Sequence, residues 1–344
     1  MTDQQWEDLL RVLAGERLEP LPVGLLIDSP WLPNWAGMSI LDYLTSDRLW
    51  LEANLKVVRR FPDVMFLPGF WAEYGMCTEP SAWGSRCIWP ENEFPHAGRV
   101  VFDYQEVERL KKPDCRTDGL CPFVIKRLEH CQQEMATCGH PVRFATSRGP
   151  HNIASYLLGH TEFLIGFRTH PQQIQHVLEV VTDFVVDWLR YQAAQFPTID
   201  GLLVLDDLIG FVGEADFKRF VLPHFERIGR ALDVSVKALH NDAHGLITAR
   251  YLRQMGFNLF NFSYEHSLAE IRRLAGDGVV LLGNIPPRDV LAKGTPEHVA
   301  AAVRQSLASI DDHRWLIVSG GGGTPPGVPS ENITALLEAA AAPH

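Results

Sequence analysis

Two adjacent carboxylates, Asp206 and Asp207, directly follow the apolar run Gly201–Leu205 in this 344-residue chain. Side chains alternate in direction along a strand, and neighbouring carboxylates repel each other. We therefore expect one of the two to point into a site and the other to support it. An acid, a base or a metal ligand fits this pattern as well as a helix cap does, so both carboxylates belong to the predicted catalytic residues.

A denser group of possible ligands follows the apolar run 236–239. His240, Asp242 and His244 all lie within five consecutive residues. Imidazole and carboxylate groups together suit zinc or another divalent ion, and they also serve proton transfer. We predict a metal site at these three residues and catalytic roles for His240 and Asp242 beside the paired carboxylates.

Four consecutive glycines, residues 320–323, follow a third apolar run. Glycine lets a backbone approach a ligand closely, and successive amides can bind an anion. The segment lacks the spacing of a dinucleotide-binding loop and the lysine of a P-loop. We predict that Gly321 and Gly322 contact the substrate, with a flexible rim loop as an equal alternative.

The elements that must position these groups follow one pattern along the chain. Short apolar runs alternate with longer amphipathic segments, which predicts parallel strands covered by helices. Predicted strands are residues 21–27, 64–67, 142–146, 202–205, 236–239, 259–262, 279–282 and 315–318. Predicted helices are residues 48–60, 106–110, 122–135, 153–158, 171–195, 214–232, 246–255, 267–274, 296–308 and 330–341. Eight strands indicate an α/β fold of the (β/α)8 (TIM) barrel type, in which the segments after the strands meet at one mouth.

Residues 69–104 differ from this pattern because they are rich in Trp, Pro, Gly and aromatic residues and show little periodicity. A long loop of this composition would cap the barrel mouth and shape a pocket. Trp71 and Tyr74 within it are predicted to contact a flat or apolar substrate, although such aromatic residues pack for structural reasons as often. Since no linker divides the sequence, we expect residues 1–344 to form one domain.

Charge and composition exclude several classes of partner. The formal net charge is -11, and no segment concentrates Lys and Arg, which argues against nucleic acid and anionic membranes. No apolar run approaches the length of a membrane span, and residues 1–16 do not resemble a signal peptide. The six cysteines lack paired spacing, which favours free thiols in a reducing compartment. We expect a cytoplasmic protein with a small-molecule substrate.

Six short motifs follow one another between residues 148 and 333. They are Arg148-Gly149-Pro150, Leu205-Asp206-Asp207, His240-Asn241-Asp242, Gly283-Asn284-Ile285-Pro286-Pro287, Gly294-Thr295-Pro296-Glu297 and Pro329-Ser330-Glu331-Asn332-Ile333. This order resembles the superfamily that joins uroporphyrinogen decarboxylase to the cobalamin-dependent methyltransferases. The resemblance implies a (β/α)8 barrel, commonly a homodimer, with its ligand at the C-terminal mouth. It also places Arg148, Asn284 and Glu79, which is similar to a Glu in the loop after the family's second strand, among the predicted substrate contacts.

The sequence departs from both branches of this superfamily. The decarboxylase branch binds its substrate with an Arg-rich N-terminal segment and an Asp after the second strand, whereas residues 21–37 here contain no Arg and Phe70 replaces the Asp. The methyltransferase branch holds zinc with a His-x-Cys pair and a distant Cys. His240 matches the His, but Asp242 and Gly322 stand in place of the two Cys residues. Thiol activation on zinc is therefore not expected, because the remaining donors are harder.

Three hypotheses follow from these comparisons. The first is methyl transfer, in which a methylated small molecule or a methyl-corrinoid protein binds at the mouth and His240 and Asp242, with or without a divalent metal such as zinc, activate donor or acceptor. The second is a decarboxylase or lyase that uses Asp206 or Asp207 as proton donor for a tetrapyrrole or a smaller acid. The third is a ligand-binding barrel without catalytic activity.

Overall fold

The computed structural model describes residues 1–27 and 30–343. Its main sheet contains eight parallel strands. They are β1 (Val23–Leu26), β2 (Val64–Leu67), β3 (Phe144–Arg148), β4 (Gly201–Leu205), β5 (Val236–Asn241), β6 (Leu259–Phe262), β7 (Val280–Ile285) and β8 (Leu316–Gly320). The strands are hydrogen-bonded in the order β2-β1-β8-β7-β6-β5-β4-β3, the curled sheet of a (β/α)8 barrel. All eight predicted strands are confirmed, and their ends differ by three residues at most.

Helices follow the strands and cover the outside of the sheet. They are α1 (Asp3–Leu13), α2 (Leu32–Ala36), α3 (Ile40–Thr45), α4 (Asp47–Arg60), α5 (Cys121–Thr137), α6 (Pro150–Leu158), α7 (His160–Thr169), α8 (Pro171–Gln195), α9 (Glu214–Asp216), α10 (Leu222–Gly229), α11 (Leu246–Met255), α12 (Leu268–Ala275), α13 (Pro296–Leu307) and α14 (Ser330–Ala341). Within the described part of the chain, none of them combines the length and the apolar character needed to cross a bilayer.

The helix predictions were wrong at several places. The predicted helix 106–110 is a 3-10 helix, Tyr104–Arg109, and the predicted helix 214–232 is interrupted by a π-helical turn, Phe217–Val221. The sequence pattern did not predict α1, α2, α3 or α7. The short helices α2 and α3 contain five and six residues, too few for an amphipathic period to show.

Buried side chains form one core inside the barrel and another between strands and helices. Along β5, Val236 and Ala238 belong to the inner core, while Leu239 belongs to the outer one. Trp6, Leu9 and Val12 lie on one face of α1 and close the bottom of the barrel against the inner core. Because side chains alternate along each strand, this inner core decides which residues at the strand ends point into the mouth.

The loop from β2 to α5 contains the predicted capping segment 69–104. It includes a 3-10 helix, Pro80–Trp83, and a small hairpin of Cys87–Ile88 with His96–Ala97. The amides of Val100 and Val101 both donate to the carbonyl oxygen of Leu157 at 2.9 Å, which docks the loop on the end of α6. The loop therefore has defined turns and lies beside the helix that follows β3.

Candidate active site at the barrel mouth

The strand register brings four side chains to one level of the mouth. Arg148 on β3 is paired with Leu205 on β4, Leu205 with His240 on β5, and His240 with Asn261 on β6. All four have the same alternation as the inner core residues of their strands. One arginine, one histidine and one asparagine therefore project into the top of the barrel.

His240 lies between two carboxylates. Its Nε2 atom is 3.6 Å from Oδ1 of Asp207 and 3.9 Å from Oδ2 of Asp242. The amide of Asp242 donates to Oδ1 of Asp207 at 3.1 Å, which ties the two loops together. One donor atom from each residue lies within 4.8 Å of the others. Such a set of one imidazole and two carboxylates fits a divalent cation.

Asn261 holds the imidazole of His240 in one orientation. Its Oδ1 lies 2.7 Å from Nδ1 of His240, while its Nδ2 donates to the carbonyl oxygens of Leu282 at 2.7 Å and Gly320 at 3.1 Å. Because the amide nitrogen already serves two carbonyls, Oδ1 is the acceptor and Nδ1 of His240 carries the proton. In the neutral ring the Nε2 lone pair then faces the carboxylates, as in metal-binding histidines.

The sequence analysis missed Asn261 although a signal for it existed. Leu259 and Asn261 share the inner face of β6, and the strand is otherwise apolar. A polar side chain at an inward position of a buried strand needs partners, which indicates a role beyond packing. Recognising it required the strand's inward face, which the apolar run alone does not reveal.

Asp206 and Asp207 divide their roles as the adjacent carboxylates suggested. Asp206 is fully buried, and its carboxylate accepts from the amides of His151 at 2.8 Å and Asn152 at 3.1 Å in the first turn of α6. A Cβ atom at Gly149 would come within 2.3 Å of Oδ2 of Asp206, so glycine is required there. Asp206 therefore caps α6, whereas Asp207 lies at the mouth; the predicted catalytic roles of both residues stay predictions.

Asp207 has a raised pKa. Its side chain is 36% exposed at the mouth. Loss of hydration and the negative charge of Asp242 raise the pKa of Asp207 to about 6, although His240 acts in the opposite direction. Without a cation between them, Asp207 and Asp242 thus resist carrying two negative charges at once.

The prediction that His244 is a metal ligand is not supported. Within the described residues, the group of closely spaced donors consists of Asp207, His240 and Asp242. His244 is exposed, and its ring centroid lies 5.7 Å from that of His266. The strand β5 includes His240 and ends at Asn241, so the chain reaches His244 only after it has left the sheet.

The glycine segment approaches the site as predicted, but one of its amides is already used. An ideal Cβ at Gly322 would lie 2.9 Å from Oδ2 of Asp242, and the φ of Gly322 is +134°. Close packing against Asp242 therefore requires glycine at this position. The amide of Gly321 donates to the carbonyl oxygen of Ile285 at 2.9 Å, so it does not bind an anion in this arrangement.

Asn284 is also occupied by structural contacts. Its Nδ2 donates to the carbonyl oxygen of His266, and its Oδ1 accepts from the hydroxyl of Ser306 at 2.8 Å. These bonds connect β7 with the loop after β6 and with α13. The predicted substrate contact of Asn284 would require this network to open.

A second charged group is buried on the β3 side of the mouth. The guanidinium of Arg148 donates to Oε2 of Glu73 at 2.9 Å and lies 3.6 Å from Oε2 of Glu79. Oε1 of Glu79 accepts from the Arg148 amide at 2.9 Å. Burial lowers the pKa of Arg148, but the two carboxylates outweigh burial and raise it. The structure thus brings together the predicted residues Arg148 and Glu79 and adds Glu73, which the sequence analysis missed.

Tyr156 on α6 interacts electrostatically with members of both charged groups. Burial raises the pKa of Tyr156 to about 12; Arg148 acts against this change, whereas the negative charges of Asp207 and Glu79 add to it. Its hydroxyl therefore stays protonated at neutral pH and is available as a hydrogen-bond donor. The sequence analysis missed Tyr156 because a tyrosine in an apolar helix has the pattern of a core residue.

The two predicted aromatic contacts lie in different places. Trp71 lines a narrow cavity between β2 and β3 together with Glu73 and Arg148. Tyr74 instead packs on Arg127 of α5, whose guanidinium carbon is 4.8 Å from the ring centroid, and contacts Trp89 edge to face. Trp71 therefore belongs to the Arg148 side of the mouth, and Tyr74 to the contact between the loop and α5.

The family of the chain follows from its match over residues 4–342 to the family model described as "Uroporphyrinogen decarboxylase (URO-D)". The chain belongs to the uroporphyrinogen decarboxylase family. Uroporphyrinogen decarboxylase from Xanthomonas axonopodis pv. citri (strain 306) is 26% identical, and the alignment covers 96% of both chains. Uroporphyrinogen decarboxylase from Thioalkalivibrio sulfidiphilus (strain HL-EbGR7) is 24% identical over 98% of both. Both of these relatives are named as enzymes, as the resemblance implied.

Solved structures support the fold of this uroporphyrinogen decarboxylase family member. A methyltransferase from Methanosarcina mazei superposes with a TM-score of 0.81 at 19% identity and covers 96% of both chains. A B12-independent methionine synthase from Shewanella sp. W3-18-1 superposes with a TM-score of 0.55 at 12% identity, covering 93% of this chain and 96% of that one. At these identities the likeness concerns the barrel and not the reaction.

Asn261 provides a first prediction for this family member. We expect Asn261→Ala to weaken zinc binding by about 10- to 100-fold, because the ring of His240 loses the partner that fixes its orientation. Asn332→Ala is a matched control, since Asn332 is equally buried and donates to two carbonyl oxygens far along the chain, those of Leu291 and Gly294. Competition with a chromogenic chelator measures both affinities. Equal losses in the two variants would contradict a specific role for Asn261.

Proposed function

We propose that this chain is a metal-dependent enzyme that transfers a methyl group to or from a small substrate at the mouth of the barrel. The observation that carries the proposal is the imidazole of His240, which is fixed through Nδ1 by Asn261 and turns Nε2 toward Asp207 and Asp242.

The donor set fits a hard or borderline divalent ion. Asp207, His240 and Asp242 would hold zinc or a similar ion, and a bound ion would act as a Lewis acid that lowers the pKa of an acceptor group. Without thiolate ligands, oxygen and nitrogen acceptors are favoured over a thiol. Tyr156 would donate a hydrogen bond to the substrate, and Asn261 would keep His240 oriented throughout.

The partners follow from the same proposal. A corrinoid, free or carried by a protein, is proposed as the methyl donor or acceptor, and the methylated small molecule as the other reactant. We retain one domain, a homodimer and a cytoplasmic location as further parts of the proposal, with no nucleic acid or membrane partner.

Corrinoid spectroscopy tests this function. Zinc-loaded protein is incubated with reduced cobalamin and a panel of methoxy, methylamine and methylthio compounds, and methylcobalamin formation is followed by absorbance. We expect one compound class to be demethylated, and the rate to fall by at least about a hundredfold in Asp207→Asn. No methyl transfer with the whole panel, in either direction, would refute the proposal.

Decarboxylation is a second candidate because the curated relatives described above are named uroporphyrinogen decarboxylases. In this alternative, Asp207, partly exposed at the mouth, would be the proton donor for the carbanion left after carbon dioxide departs. Release of carbon dioxide from uroporphyrinogen or from a smaller carboxylic acid, measured with labelled substrate, would favour this alternative over methyl transfer.

A further inference from the structure

We propose that the mouth selects a neutral or cationic substrate and rejects a carboxylate. This inference rests on the proposed function only in placing the substrate beside Asp207, His240 and Asp242. It concerns charge selection, which neither the family nor the proposed reaction determines. The charge selection depends on how the positive groups of the mouth are paired.

Arg148 is the guanidinium at the level of the site, and its charge is already balanced. It lies between Glu73 at 2.9 Å and Glu79 at 3.6 Å, and all three side chains are at least nine-tenths buried. Two buried carboxylates around one guanidinium leave this group with a net negative charge. An incoming carboxylate would have to displace one of them, and the displaced carboxylate would lose its partner in a buried place.

His240 also faces two carboxylates. Its Nε2 faces Asp207 and Asp242, at 3.6 and 3.9 Å. Arg148 and His240 are two strands apart on the same level, with Leu205 between them. Among the described residues, four carboxylates from the loops after β2, β4 and β5 therefore lie around two groups that can be cationic.

Two buried polar atoms of the barrel, one beside Arg148 and one on β8, indicate what the mouth would bind. Oε2 of Glu79, in a side chain 2% exposed, makes no hydrogen bond within the described residues, and neither does the hydroxyl of Ser319, which is fully buried on the inner side of β8. Oε2 of Glu79 is paired with the guanidinium of Arg148 at 3.6 Å, but it can still accept a hydrogen bond. A carboxylate oxygen accepts only, and it would therefore pair with an N–H or O–H group of a ligand.

The expected selectivity follows from Coulomb interactions over these distances. A ligand charge several ångströms from an excess carboxylate changes binding by at least about tenfold at an effective dielectric constant near 20. An ammonium group gains this factor and a carboxylate loses it, while an alcohol is unaffected. The excess of negative charge at the mouth, and not its shape, thus produces the rejection of anions.

Calorimetric titration with three matched ligands tests the inference. Methoxybenzylamine, methoxybenzyl alcohol and methoxybenzoate, with the methoxy group at the same ring position, differ mainly in charge. We expect the amine and the alcohol to bind at least about tenfold more tightly than the benzoate. The order should hold in both zinc-loaded and chelator-treated protein, because a bound ion offsets only part of the negative charge.

A double variant provides the second measurement. Glu73→Gln with Glu79→Gln releases Arg148, so the benzoate should gain at least about tenfold relative to the amine. The control pair Glu52→Gln with Glu129→Gln removes the same number of charges from carboxylates that are 51% and 28% exposed, and it should leave the ratio unchanged. If the double variant does not fold, the ratio of amine to benzoate affinity in the unmodified protein still tests the charge selection.

Benzoate binding equal to or tighter than amine binding would overturn the inference, and so would no binding of any of the three at millimolar concentration. These outcomes are separate from failure of the proposed function. Methyl transfer from a methoxybenzoate would retain the reaction and refute the charge selection. Selective binding without any methyl transfer would retain the selectivity and refute the reaction.

Discussion

We expect replacement of Asp207 by alanine to remove the zinc that the proposed site would hold. Asp207 supplies one of three donors, and its Oδ1 lies 3.6 Å from Nε2 of His240. Loss of a direct ligand is expected to weaken binding by more than about a hundredfold, beyond the effect of supporting residues. Elemental analysis after dialysis against a weak chelator measures zinc per chain. We expect about one zinc in the unmodified protein and almost none in Asp207→Ala or His240→Ala.

His244→Ala is the matched control for this measurement. His244 is a histidine of the same loop, but it lies against His266 and outside the donor group. We expect it to retain zinc. Zinc lost from His244→Ala and retained in Asp207→Ala would show that the ligand set is assigned to the wrong side of the loop.

The same site predicts how zinc binding depends on pH. The pKa of Asp207 is raised to about 6 in the metal-free protein, mainly by loss of hydration. Zinc needs the deprotonated carboxylate, so protons compete with it increasingly as the pH falls through about 6. Zinc affinity should therefore decrease from pH 7 to pH 5. The decrease should be smaller in Asp207→Asn, which has no carboxylic acid at this position to take up a proton.

Arg148→Met is expected to lower the free energy of unfolding by about 3–5 kcal/mol, the effect of removing one partner from a buried ion pair. Glu73 and Glu79 would be left with two buried carboxylates and no guanidinium. Chemical denaturation at neutral pH measures the loss. Arg48→Met is the control, because Arg48 pairs with Glu52 at the exposed surface and should contribute less than about 1 kcal/mol.

A triple variant separates charge from packing. Adding Glu73→Gln and Glu79→Gln to Arg148→Met removes the unpaired charges, so most of the lost stability should return. If the triple variant is as unstable as Arg148→Met alone, the arginine stabilises the mouth by packing rather than by charge. In that case the balance of charges used to explain substrate selection would need revision.

A structural element can be predicted from the sequence when its pattern lies within one short segment. The eight strands could be predicted because each contains at least a short apolar stretch and all are only four to six residues long. The interruption in the predicted helix 214–232 could not, since π-helical turns have no comparable pattern. The family motifs likewise indicated a barrel before any contact was known.

The roles of individual residues at the site could be assigned only from distances between side chains. Asp206 and Asp207 are indistinguishable as letters, and only the packing of α6 against β4 shows that Asp206 caps a helix. His244 is as good a ligand as Asp207 by spacing along the chain. The register of neighbouring strands decides between them, because it joins residues that are far apart in sequence.

The sequence by itself determined the barrel and predicted that residues 206–207 and 240–244 lie at its mouth. Both follow from hydrophobic alternation and strand ends, which are properties of short segments. Only the tertiary structure shows that Asn261 orients His240, that Glu73 and Glu79 pair with Arg148, and that Tyr156 interacts with both groups. These relations connect different strands, loops and helices. They depend on side-chain direction and on charges that folding brings together. The order of residues along the chain shows neither.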